Sequence, residues 1–443
     1  MKGFVLIIVL IASCVSPKGP QSVDYFSGKG DGVADDTKAF QKAIFEAAAQ
    51  KDTLFMPAGK YFISGTIEMP TNSVVFGVGE NVEIIFKAIS MPLFRAIGQN
   101  HIVLSGMKLK GTGQYNRKWK GSFNRNMERC VYLENCKDVV VQNCSMTNFG
   151  KSGITVLGSS NVSILNNRIE GTHREGNALK VGDNYQFGIF LGVKTDCKVL
   201  RNINILNNDI GFTTQGIITS QGNNGVSSKE ILLKNNYIHD VIGQHGIYCS
   251  TSNTSIINNK IERMGLEGIK IQAAHESLEK FEIVDNEILE CLNSQAINIT
   301  EIHEGVNSIS DVKIRNNRIK FCARGVNLYG RLIDLEIDSL HIEKINKEYG
   351  IYIRGYEMDN VRLKNITISN PMKESIYVDN DDGSKNISFS NISILSKQDG
   401  GVPVKVRKGS NIEFRNIKFN KEKRENIFSI SPKSTSISIK KEK

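Results

Sequence analysis

His245, Tyr248, Glu267, Lys270, Asn298, Arg324 and Asn327 are the residues whose types and spacing in this sequence point to chemistry. All stand beside a short recurring element, Gly-Ile/Val-x-apolar, found at Gly153-Ile154, Gly188-Ile189, Gly216-Ile217, Gly246-Ile247, Gly268-Ile269, Gly325-Val326 and Gly350-Ile351, with Ala296-Ile297 and Ser375-Ile376 as variants. The position before the Gly reads Ser152, Phe187, Gln215, His245, Glu267, Gln295, Arg324, Tyr349, Glu374. The position two after it reads Thr155, Phe190, Ile218, Tyr248, Lys270, Asn298, Asn327, Tyr352, Tyr377. If successive elements stack, these positions become columns, and residues far apart in the chain become neighbours. Polar, titratable and aromatic groups gathered on one patch suit proton transfer and sugar binding. On that basis His245, Lys270, Glu267, Tyr248 and Arg324 are candidate catalytic residues, and Asn298, Asn327 and Tyr352 candidate substrate contacts.

The stacking follows from the repeat. Spacings between elements run from 22 to 35 residues, too irregular for a hexapeptide solenoid and suited to rungs joined by turns of variable length. A second strand in each rung ends at a fixed polar position: Asn143, Asn166, Asn207, Asn235, Asn258, Asp285, Asn316, Ser339, Asn365, Asn391, Asn416. Gly106 extends the column by one earlier rung. Asn tolerates the left-handed backbone of a sharp turn, and stacked amides can bond one another as a ladder. Runs such as Val162-Ser163-Ile164 and Val361-Arg362-Leu363 alternate as strands do. The sequence therefore predicts an all-β chain, a single-stranded parallel β-helix about 48 Å long, from ten intervals of ~4.8 Å. Its open end needs a cover. Asp36 as N-cap, with Thr37 opening a helix through Ala39, Phe40, Ala43, Ile44 and Ala47, supplies one.

At 443 residues the chain exceeds the usual single-core size of ~250–300, a limit a solenoid escapes because each repeat packs only on its neighbours. With 40% apolar and 23% charged residues it is folded and not disordered. The formal charge is +10, of which residues 421–443, with seven Lys/Arg against three Glu, hold +4. The remaining excess suits an anionic partner, and with no nucleic-acid motif present, nucleic acid is not the expected one. The apolar run Phe4–Ala12 is too short to span a bilayer. Apart from Cys14, seven Cys remain: Cys130, Cys136, Cys144, Cys197, Cys249, Cys291 and Cys322. An odd count without a CxxC pair points to buried thiols, not to a disulfide set or a zinc site.

Two resemblances add to this reading. Ile11-Ala12-Ser13-Cys14 resembles the lipobox of bacterial lipoproteins, implying an exported chain cleaved before Cys14 and held to a membrane by lipid on its sulfur. Asp24 through Ile44, with its Gly28-Lys29-Gly30-Asp31-Gly32-Val33-Ala34-Asp35-Asp36-Thr37 core, and Leu54-Phe55-Met56-Pro57-Ala58-Gly59-Lys60-Tyr61 resemble the opening of the pectate lyase superfamily. That broad group holds rhamnogalacturonases, polygalacturonases, epimerase-like proteins and phage tailspikes. The resemblance implies the right-handed form of the β-helix and a polysaccharide partner, and leaves the reaction open. The expected organisation is a signal segment at 1–13, a tether at 14–22, the superfamily motif and capping helix at 23–70, rungs at 71–420 and a basic tail at 421–443. Asp31, Asp35 and Asp36 fall in the motif's turn and helix start, where capping is their expected role.

Polygalacturonase-type hydrolases carry aspartates on two successive rungs, then a His-Gly, then an Arg-Ile-Lys. His245-Gly246-Ile247 resembles the third of these and Gly268-Ile269-Lys270 the fourth, with Gly replacing Arg. Phe187 and Gln215 stand where the acids belong, so the carboxyl pair of an inverting hydrolase is missing. Elimination on a uronic acid polysaccharide is slightly preferred, with Lys270 or His245 as base, Arg324 clamping the carboxylate and Tyr248 protonating the leaving oxygen. A hydrolase would use Glu267 with Glu175, Asp183 or Glu301. A non-catalytic β-helix would bind glycan on Tyr248, Tyr352 and Tyr377. No cofactor is expected; Asp379-Asn380-Asp381-Asp382-Gly383 offers oxygen ligands for calcium, although an acidic turn explains it as well.

Overall fold

The computed structural model describes residues 21–440 except 89, 114–126, 173–185, 194–198, 221–228, 303–305, 381–383, 396–401 and 421–426. Cys14, Glu175, Asp183, Cys197, Asp381 and Asp382 lie outside the described residues.

The fold is the expected parallel β-helix, and its register reproduces the columns read from the repeat. One sheet is a single column of fourteen strands, here called the Gly-Ile sheet. Along it Ile154, Ile189, Ile217, Ile247, Ile269, Ile297, Val326, Ile351 and Ile376 pair rung to rung. Each turn then passes through a second strand, such as Arg201–Leu206, and a short third one, such as Asp209–Gly211. Alternation turns Ile, Val and Leu of all three strands inward to one continuous core. Burying each such side chain contributes roughly 1.5–3 kcal/mol.

Every residue of the Asn column, Asp285 and Ser339 included, has φ between 51 and 57°, and Gly106 has 70°. Two further left-handed columns complete the turn. One includes Asp138, Asn161, Asn202, Glu230, Asn253 and Lys280, the other Asn148, Phe212, Asp240, Arg263 and Glu290. Their mixed side chains hide them from a sequence reading.

Over six successive rungs the residue after the corner builds a second ladder. Asn167, Asn208, Asn236, Asn259, Asn286 and Asn317 are buried, and each of the first five donates from Nδ2 to the next one's Oδ1 at 3.0–3.1 Å. The same amide nitrogens also donate to a strand carbonyl of the preceding rung, as Asn236 does to Ile205 at 2.9 Å. A Cβ at Gly246 would stand 2.8 Å from the Gly268 carbonyl, which explains Gly in the repeat.

The helix runs Thr37–Ala49 and buries Phe40, Ala43, Ile44, Ala47 and Ala48 against the first rungs. Its capping differs from expectation. Asp36 occupies the N-cap position, yet its carboxylate accepts from the Lys29 and Gly30 amides, at 2.7 and 3.2 Å, and so fixes the preceding turn. Asp35 accepts from the Thr37 amide at 3.0 Å instead. Asp31 accepts from Val33 and Ala34, both at 2.8 Å. Strand pairing also runs beyond the expected 71–420: Thr53–Met56 joins at one end, and Thr435–Lys440 pairs with Ser410–Phe419 at the other. The basic tail therefore contributes a strand, its Lys440 held 2.7 Å from Glu413. The six described Cys of the body are free and buried.

Candidate functional site

The outward side of the Gly-Ile sheet divides into three zones along the axis. In the first, Tyr132, Leu157, Phe187, Phe190 and Ile218 form an apolar cluster outside the main core. Arg129 and Lys151 are buried beside it, and the Lys151 ammonium lies 4.3 Å from the Phe187 ring centroid. Burial, aided by Arg129, lowers the Lys151 amine to about 8. Burial raises the Glu128 carboxyl to about 7, against the Thr112 hydrogen bonds that favour its ionised form. None of these groups stood out in the sequence, because Lys151, Glu128 and Arg129 precede or begin strands without a motif.

The middle zone brings together most of the expected residues. His245 and Glu267 stand on adjacent rungs, both buried, with Nδ1 2.7 Å from Oε2. The two atoms meet closely but outside the alignment of an ordinary hydrogen bond. The other carboxylate oxygen accepts from Asn298 Nδ2 at 2.9 Å and lies 3.9 Å from Lys270 Nζ. Asn327 Nδ2 donates to Asn298 Oδ1 at 2.8 Å. The Tyr248 ring stacks on the His245 imidazole, centroids 5.6 Å apart and 25° from parallel.

Electrostatics assigns the protons. Burial drives His245 below its ordinary 6.5, the neighbouring carboxylate only partly offsetting it. Glu267 is held down at about 2: burial opposes its charge, but His245, Lys270 and Asn298 together outweigh burial. At neutral pH the pair is therefore a neutral imidazole against a carboxylate. Burial pushes the Tyr248 hydroxyl up, so it keeps its proton.

Arg324 lies two rungs from Glu267, roughly 10 Å away, and its guanidinium is paired with Glu348. Glu301 is fully buried on the strand Gln295–Glu301, where alternation turns it away from the side that Asn298 presents. It does not join Glu267.

The third zone is aromatic. Tyr349 and Tyr377 stack at 4.9 Å and 10°, with Tyr352 tilted against both at 5.1 and 5.3 Å. Lys373 and Lys405 lie over Tyr349 and Tyr377, at 5.9 and 5.3 Å. The rings pack on one another, so Tyr377 is buried and offers little open face. Asp379 of the acidic turn is paired with Arg407 at 2.7 Å.

The fold and this polar, titratable zone on one sheet define a class, and comparison with known proteins agrees. The rhamnogalacturonase A/epimerase, pectate lyase-like family matches residues 21–270, and the chain belongs to it. The match takes in His245, Glu267 and Lys270. Among solved structures, the chain is similar to the catalytic unit of an α-1,3-glucanase from Streptomyces thermodiastaticus, at 16% identity and TM-score 0.61, covering 95% of this chain and 69% of that one. It is similar to gene product 12 of bacteriophage phi29, at 20% identity and TM-score 0.56, covering 89% and 55%. The surface adhesin PfbA of Streptococcus pneumoniae matches at 14% identity and TM-score 0.52, covering 91% and 93%. These likenesses are of fold. Among curated proteins, the pre-neck appendage protein of Bacillus phage B103 is 33% identical over 101 residues, a match covering 21% of this chain and 11% of that protein. The fold is thus shared by proteins that act on carbohydrate and by surface and phage appendages.

Proposed function

We propose that this protein cleaves an acidic, uronic-acid-containing polysaccharide by β-elimination at the middle zone of the Gly-Ile sheet. The observation that carries the reading is the buried His245–Glu267 pair beside Lys270. A base for this reaction must be neutral at working pH and held in one orientation. His245 meets both conditions, with its Nε2 lone pair turned away from Glu267. Glu267, ionised and held through Oε1 by Asn298, orients the imidazole in place of acting as an acid.

The steps balance. His245 Nε2 takes the proton from the carbon beside the sugar carboxylate, and Lys270 holds the charge that develops on that carboxylate. The bond from the next ring carbon to the glycosidic oxygen breaks, its electron pair leaving on the oxygen, and a carbon–carbon double bond forms. Tyr248 delivers its proton to the leaving oxygen. Arg324, two rungs on, serves a carboxylate further along the polymer once Glu348 yields it.

Hydrolysis, which in its inverting form needs two carboxyls ~6.5–9.5 Å apart, is less well supported, since Glu301 does not join Glu267 and Glu267 is held ionised beside His245 and Lys270. Glycan binding without catalysis is the second reading, favoured by the Tyr349–Tyr352–Tyr377 cluster. On either reading the Ile11–Cys14 segment would carry the chain out of the cell and tie it to a membrane by lipid. No helix among the described residues is long and apolar enough to cross one.

The deciding experiment is incubation with a panel of uronic-acid polysaccharides, following unsaturated-product absorbance and reducing ends together. Both should rise. Reducing ends without absorbance would replace elimination by hydrolysis, and neither signal, with retained glycan binding, would favour the binding protein.

A further inference from the structure

On four successive rungs, two amide hydrogen bonds lead from Asn327 through Asn298 to Glu267, whose second carboxylate oxygen lies in close contact with the imidazole of His245. Asn327 Nδ2 donates to Asn298 Oδ1 at 2.8 Å, Asn298 Nδ2 donates to Glu267 Oε1 at 2.9 Å, and Glu267 Oε2 faces His245 Nδ1 at 2.7 Å. The register sets these residues on consecutive turns, so each link spans a single rung step. Both amides give hydrogens in the same direction, toward the carboxylate, and bonds aligned this way polarise one another. Asn298 uses both ends of its amide inside the chain, which leaves it poorly suited to contact a sugar. Asn298, Glu267 and His245 are all buried, where an unmade bond costs most.

We propose that Asn298 and Asn327 are positioning residues, an amide relay that holds Glu267 and thereby fixes His245 with Nδ1 protonated and Nε2 free. This rests on the reading of His245 as the base, and assigns Asn298 a role behind the reacting groups, not on the substrate. The relay explains why an ionised carboxylate persists in a buried site where, among the described residues, Lys270 is the one lysine or arginine paired with it. The Asn298 amide, donating to Oε1, adds to that cation in favouring the charged form.

The groups facing His245 limit how its titration can be read. Glu267 and Lys270 stand on the following rung, Tyr248 stacks from its own strand, and the preceding rung presents the uncharged Gln215 and Ile218. The two charged groups oppose each other in their effect on the imidazole.

The test needs no substrate, so its failure is separable from that of the proposed reaction. The full chain, labelled with nitrogen-15 in its seven His, is titrated by NMR, with His245→Gln assigning the signal. His245 should show the Nδ1–H tautomer and a midpoint below that of free imidazole. Asn298→Asp sets a second carboxylate against Glu267, which should raise the midpoint by about one pH unit. Asn298→Leu should mix the tautomers, and Asn327→Asp, one link further out, should shift the midpoint the same way by less. A purely structural role would lower the melting temperature and leave tautomer and midpoint alone. Should Asn298→Asp fail to fold, Asn327→Asp decides. The Nε2–H tautomer in the unaltered protein, or folded variants whose His245 signal matches it, would overturn the proposal.

Discussion

Glu267 reaches across one rung step to His245, its Oε2 standing 2.7 Å from the imidazole Nδ1 with both side chains shut off from solvent. The contact arises because the positions before Gly246 and Gly268 share a column. It joins two residues 22 positions apart in the chain through the register of a sheet, with no loop to hold them. The pair stands just ahead of two adjacent strands, Ile247–Ser250 and Ile269–Ala273, whose register fixes its spacing, and fixed placement is what an oriented base requires.

His245→Ala should lower kcat for elimination by roughly 10²–10⁴-fold, the usual contribution of a general base. Glu267→Gln keeps the shape but presents an amide to Nδ1, and should cost on the order of 10²-fold or more. KM should change little in either, since neither group carries the substrate carboxylate. Steady-state rates on the responsive polysaccharide, with circular dichroism confirming the fold, check this. Full activity in Glu267→Gln would remove the carboxylate from the mechanism.

A second histidine should tie stability to pH. His239 Nδ1 lies 2.7 Å from Asp240 and Nε2 2.8 Å from Asp209, and its ring stacks on Tyr237 at 4.5 Å. Burial opposes its charge, but the two carboxylates outweigh burial and raise it above 6.5. A raised folded value means the stabilisation is complete below the unfolded value, near 6.5, and disappears as pH climbs through the folded one. The melting temperature should fall as pH rises from near 6.5 through the raised folded value, and Asp209→Asn should flatten that fall. An equal slope in the variant would show that other groups set it.

The two asparagine ladders should differ in worth. Asn236→Ala leaves buried backbone and amide partners unsatisfied, costing about 1–3 kcal/mol. Asn235→Gly keeps the left-handed corner and gives up two exposed ladder bonds, at 3.0 and 2.8 Å, so it should cost little. Asn235→Val should cost about 1–2 kcal/mol, because a branched side chain resists φ near 57°. Urea unfolding of the three variants measures the order, and an Asn236→Ala no worse than Asn235→Gly would contradict it.

Much of the coil is legible in the sequence because its constraints are local and repeated. The corner Asn column needs a left-handed residue at one place per turn, and all eleven positions have that conformation. The buried ladder has a signal too, the doublets Asn166-Asn167, Asn207-Asn208, Asn235-Asn236, Asn258-Asn259 and Asn316-Asn317, but one residue of each explains the corner and conceals its neighbour's task. Column reasoning places His245, Glu267 and Lys270 together, since register alone decides it. It does not foresee Glu348 beside Arg324, because Glu348 comes from the turn before a strand and not from a column. Nor does it foresee the Asp209–His239 contact, which runs diagonally between rungs.

Left-handed bends recur at three places around the turn and fix its corners, however long the excursion that follows. Lengths between successive Gly-Ile elements range from 22 to 35 residues, yet the pairing of one isoleucine with the next never slips between Ile154 and Ile376. Growth and shrinkage of the outer segments are thus decoupled from the spacing of the groups beneath them. Insertions in the outer segments can therefore come and go while the His245–Glu267 pair keeps its geometry.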